Sequence, residues 1–130
     1  MTTLNFHILK GDIDIHRLPA SAFALLPDEL FIANFFSITK TEDELSVAAP
    51  ASISIASQKV ESGWVCLKVL GPLDFALTGI LADISTTLAN AGISIFALST
   101  FDTDYILVKS HQLEKAISAL VENGHRVKDF

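Results

Sequence analysis

The sequence predicts an α+β fold: a βαββαβ sandwich of two layers, with both helices on one side of an antiparallel sheet. Three observations predict it. Two segments in the C-terminal half repeat apolar residues at helical spacing. Strand-forming stretches alternate with them. Glycine, proline or aspartate stands at nearly every junction.

The N-terminal half is β-rich and irregular. Leu4, Phe6 and Ile8 alternate with polar residues, Gly11-Asp12 turns the chain, and Ile13 and Ile15 continue a strand pattern. Pro19 and Pro27 bracket one or two helical turns over Ala20 to Leu26. Phe31 to Thr39 and Leu45 to Ala48 predict a hairpin around Glu42-Asp43, and Pro50 to Ser57 a brief helix.

The C-terminal half is clearer. Trp64 to Leu70 reads as a strand stopped by Gly71-Pro72. Leu77, Ile80, Leu81, Ile84, Leu88 and Ala91 mark a helix with one apolar face, and Gly92 is its left-handed cap. Ile93 to Phe101 and Tyr105 to Val108 form a hairpin turning at Asp102-Thr103-Asp104. Leu113, Ala116, Ile117, Leu120 and Val121 mark a second helix, ended by Asn123-Gly124, and His125 to Phe130 a last strand. The expected strands lie near 63–70, 93–101, 104–109 and 125–129, the helices near 78–91 and 111–123.

A shift of about 61 residues lays Thr39 on Thr100, Asp43 on Asp104, Leu45 on Ile106 and Val47 on Val108. Chance, two hairpins obeying one strand grammar and an internal duplication all produce so short an echo.

Composition narrows the function. Half of the 130 residues are apolar, enough for a core without disulfides, and the formal charge is −6. Nine scattered basic residues make no stripe for nucleic acid or an anionic membrane. Neither is an expected partner. The single cysteine, Cys66, lies in a strand pattern and reads as a core residue. The start of the chain lacks the basic, then apolar, character of a signal peptide, so a cytoplasmic location is expected.

Catalytic patterns are missing. No Gly-x-Ser-x-Gly elbow or phosphate-cradling glycine loop occurs. His7, His16, His111 and His125 are dispersed, without metal-ligand spacing, and read as surface or half-buried residues. Asp102, Asp104 and Asp74 are too few for a built cation site. We expect no enzyme activity, no metal and no cofactor.

What remains is a binding pattern. A helix starting near Thr78 leaves the first N–H groups, including those of Gly79, Ile80 and Leu81, without intrahelical partners, a cradle for a carboxylate. Glycine at 79 either admits a ligand close to the backbone or packs helix against sheet. Asp102 and Asp104 serve either a ligand or the turn itself.

Gly-Ile-Leu at the helix start, Ala-Gly-Ile-Ser-Ile after its end and Ser-Thr-Phe-Asp-Thr-Asp-Tyr-Ile-Leu-Val beyond resemble an ACT domain. Within that superfamily they are similar to the branch of small bacterial tandem-ACT proteins and animal cytosolic arginine sensors. The resemblance covers residues 63–130 and, more faintly, Phe35 to Pro50. It implies a ferredoxin-like fold in two units that share or abut antiparallel sheets, a degenerate N-terminal ACT-like unit over 1–61 and an ACT domain over 62–130. It also implies a homodimer that binds a free amino acid and regulates an unidentified protein target.

The ligand residues implied are Asp74, Phe75, Thr78, Gly79, Ile80, Leu81, Thr100, Phe101 and Asp104. In that reading the helix N–H groups hold the α-carboxylate, Asp104 accepts from the α-ammonium, and the Asp74–Phe75 loop closes over the ligand. Leu77 stands where an acid could receive a basic side chain, so a neutral amino acid fits as well as arginine. The alternative is an interaction subunit that uses the fold for oligomerisation alone.

Overall fold

The computed structural model describes residues 3–70 and 79–129. The chain divides into two compact units: Met1–Lys10 with Val65–Phe130, and Gly11–Trp64. This division differs from the boundary expected at 61/62, because the first strand joins the C-terminal unit.

The C-terminal unit contains β1 (Asn5–Ile8), the end of β5 (Lys59–Val69), α1 (Ile80–Asn90), β6 (Ile95–Ser99), β7 (Asp104–Lys109), α2 (Leu113–Glu122) and β8 (Arg126–Lys128). Its strands run β8-β1-β5-β7-β6, with β1 antiparallel to β5 and parallel to β8. The βαββαβ reading therefore holds, with one strand from the N-terminus inserted between its first and last strands. Alternation along Leu4, Phe6 and Ile8, along Val65, Leu67 and Val69, and along Ile106 and Val108 aims one set of side chains at the helices. Ile84 and Leu88 of α1 and Ala116 and Leu120 of α2 meet them, all fully buried. Gly92 takes φ +75°, and the Ile93 N–H returns to the Leu88 carbonyl, the left-handed ending foreseen for α1.

The Gly11–Trp64 unit orders its strands β3 (Ser37–Lys40), β4 (Leu45–Pro50), β2 (Ile13–Leu18) and the start of β5. Where β5 passes Ile13 and Ile15 the register slips, and Gly63 beside the slip has φ +81°, as a bulge requires. Two 3-10 turns, Ala20–Leu25 and Asp28–Ile32, each preceded by proline, place Ala22, Leu26 and Leu30 over the sheet.

Three expectations need correction here. Residues 31–36 are the end of a 3-10 turn and irregular chain, and the strand starts only at Ser37. No helix forms after Pro50; the Ile53 N–H closes a single turn on the Pro50 carbonyl. Its serines and β-branched isoleucines are poor helix formers. The hairpin echo is also real in geometry but displaced. Thr41 and Thr100 make the same turn, each N–H donating to the carbonyl three residues on, Glu44 at 2.9 Å and Thr103 at 2.8 Å. The offset is thus 59 (100 − 41), which aligns Asp43 with Asp102 and buried Leu45 with Asp104.

Candidate functional site

The site begins where β5 ends. Thr103, buried in the turn between β6 and β7, donates its hydroxyl to the Val69 carbonyl at 2.5 Å. This fixes the hairpin turn to the last residue of β5. On the other side of β5, the Leu70 N–H donates to the Asn5 carbonyl at 2.8 Å, and the Leu4 N–H donates to His125 Nδ1 at 3.0 Å.

That acceptor role places the imidazole proton on Nε2, which faces Asp83 Oδ2 at 3.2 Å in the first turn of α1. Two bonded paths therefore start at the end of β5. One holds the hairpin turn and the other holds the start of α1, so both belong to one end of the unit.

Helix α1 starts at this same end. Gly79 is its N-cap, with φ +79° and ψ −1°, and the Asp83 N–H closes the first helical bond on the Gly79 carbonyl at 2.8 Å. The N–H groups of Ile80, Leu81 and Ala82 precede that bond, and among the described residues no side chain caps them. Gly79 is glycine because of its left-handed backbone. Among the described residues a Cβ there meets nothing within 4 Å, so no described sheet residue requires glycine by packing. Ile80 and Leu81 are half-buried against the core and contribute backbone.

At the hairpin, Thr100 and Phe101 are exposed and Asp104 is half-buried. Thr100 Oγ1 donates to the Thr103 carbonyl at 3.0 Å and accepts the Thr103 N–H at 3.3 Å, so its hydroxyl shapes the turn. Asp104 pairs across the hairpin with Ser99, whose hydroxyl donates to Asp104 Oδ1 at 2.5 Å. A carboxylate has about four lone-pair sites, so acceptor capacity remains for an ammonium. Asp102 is exposed at the turn. Asp74, Phe75 and Thr78 lie outside the described residues.

Sequence reasoning missed Ser99, Thr103, Asp83 and His125 as the residues that hold this end together. Two of the histidines read as surface or half-buried are in fact buried, His125 at 3% exposure and His16 at 5%. The signal for His125 was its place between Gly124 and a three-residue strand, too short to reveal which face it took. Cys66 matches its reading: it is fully buried, and burial pushes its thiol up to about 12. Among the described residues no group of three or more His, Cys, Asp or Glu could hold a metal ion.

Residues 59–122 match the sequence family described as the ACT domain. The chain belongs to the ACT-domain superfamily. Over 114 residues it is 31% identical to the cytosolic arginine sensor for mTORC1 subunit 1 of Pongo abelii, a match covering 81% of this chain. The ACT chain spans about a third of that relative's length, 34%.

Its backbone is also similar to a crystal structure of an Agobacterium tumefaciens protein, with a TM-score of 0.88 and 38% identity. That match covers all of this chain and 96% of the other. Aspartate kinase from Clostridium acetobutylicum, an allosteric enzyme, shares the fold at a TM-score of 0.66 and 14% identity, over 94% of this chain and 35% of the kinase.

Proposed function

We propose that this ACT-domain chain is a regulatory sensor that binds a free amino acid and does not transform it. The observation that supports the reading is that one end of β5 carries both the start of α1, which no described side chain caps, and a hairpin carboxylate. Helix N–H groups favour an α-carboxylate and Asp104 favours an α-ammonium. The similarity to a protein named as an arginine sensor supports the ligand class. Asp74, Phe75 and Thr78 complete the proposed site from the connection before Gly79.

The same reading includes a homodimer in the cytoplasm acting on a separate protein target. Among the described residues β6 pairs only with β7, which leaves it as an edge able to accept a partner. No helix of the described residues is long and apolar enough to cross a membrane. The strand order of Gly11–Trp64, the same as that of the C-terminal unit without its inserted strand, supports a degenerate ACT-like unit there.

One observation favours the second reading, an interaction subunit without a ligand. Thr100 and Asp104 already have partners within the hairpin. A thermal-shift screen of the twenty amino acids separates the two. A ligand at a hundredfold excess over its Kd adds about 2.7 kcal/mol of stability, and a pure interaction subunit gains nothing from any of them.

A further inference from the structure

The formal charge of −6 is concentrated in one unit. Gly11–Trp64 carries eight acidic and three basic residues, a net of −5, and the remainder of the chain has seven acidic and six basic, a net of −1. The same unit exposes apolar side chains that its fold does not use. Leu25 and Ile32, ending the two 3-10 turns, are 81% and 83% exposed. The rings of the same segment join the two turns: Phe23 meets Phe31 at 6.3 Å between ring centroids, and Phe31 meets Phe36 at 5.8 Å.

Residues three apart eclipse one another on a 3-10 helix. Asp28 therefore stands one turn before Phe31, and Glu29 one turn before Ile32, both carboxylates exposed.

We propose that this surface docks a basic, apolar-faced segment of another protein. Phe31 and Ile32, each with a carboxylate one turn before it, fit a partner whose Leu- or Phe-type residues are flanked by Lys or Arg. A second copy of the chain fits poorly, because apposing the two patches brings Asp28 and Glu29 against the same two carboxylates, within units that each carry −5. An anionic membrane is repelled for the same reason. The docking surface does not depend on what the α1 end binds.

The test uses the full chain and a labelled peptide of about 14 residues, Leu/Lys in helical amphipathic pattern, with a Leu/Glu peptide of the same pattern as control. Anisotropy titration is expected to show binding of the Lys peptide alone, weakening as salt rises from about 50 to 300 mM. Leu25→Ser with Ile32→Ser should weaken it about tenfold or more, and Asp28→Asn with Glu29→Gln should flatten the salt dependence. These side chains are exposed, so circular dichroism should show both variants folded.

Equal binding of the two peptides overturns the proposal, as does wild-type affinity in the Leu25/Ile32 variant. So does a light-scattering mass that falls from dimer to monomer in that variant, since a second copy then occupies the patch. Patch-dependent sedimentation with phosphatidylcholine vesicles, without peptide binding, would assign the patch to lipid and overturn it too.

Discussion

Thr103 bonds its hydroxyl to the Val69 carbonyl at 2.5 Å, so the turn of one hairpin is tied to the end of the strand that precedes α1. Thr103→Val removes this buried bond at nearly constant volume. It should lower stability by about 1 kcal/mol, with Thr103→Ser retaining most of it. Urea unfolding of the two variants checks this. If the valine variant is as stable as wild type, the hairpin is held by packing alone.

His125 takes the Leu4 N–H on one ring nitrogen and presents the other to Asp83. His125→Phe keeps a ring near Phe6, which the imidazole meets edge-on at 5.9 Å, but orphans a buried N–H. The expected loss is about 1–3 kcal/mol. Amide exchange should show the loss first at Leu4, whose hydrogen bond is the one removed.

His16 gives the pH dependence a sign. It is buried, with Nδ1 against Ser57 Oγ at 3.0 Å, and burial holds its pKa below the ordinary 6.5 although Asp14 pulls it upward. Below about pH 6.5 the unfolded chain therefore binds more protons than the folded one, and stability falls as pH falls through that window. Denaturation midpoints at about pH 5, 6 and 7.5 should show the slope in wild type and a flatter one in His16→Asn.

Gly79→Ala should cost about 1–2 kcal/mol although its Cβ meets no described residue within 4 Å, because φ +79° is a left-handed conformation. Thermal denaturation measures it. An unchanged midpoint would mean that the backbone at 79 relaxes freely.

The periodicities of α1 and α2 and the breakers around them were legible because both helices lie on one sheet face, where amphipathic spacing survives in sequence. Asp102-Thr103-Asp104 announced its turn for a similarly local reason. The insertion of Asn5–Ile8 between β5 and β8 was not legible, since strand pairing between positions so far apart in the chain leaves no local trace. Thr103, Ser99 and Asp83 act through bonds to distant residues or across a hairpin, and their types are ordinary in turns and helix starts. The two-residue error in the echo had a different source. Aligning Asp43 with Asp104 matched like residues, whereas the turns align by hydrogen bonding at Thr41 and Thr100.

The most direct test of amino-acid binding at the end of β5 is calorimetry on Asp104→Asn and wild type, using the amino acid with the largest shift in the screen. The asparagine side chain keeps an acceptor for the Ser99 hydroxyl and loses only the charge. The account predicts a folded variant whose affinity is lower by about 1.5–3 kcal/mol, roughly ten- to a hundredfold. Binding of that amino acid with wild-type affinity and enthalpy would contradict it.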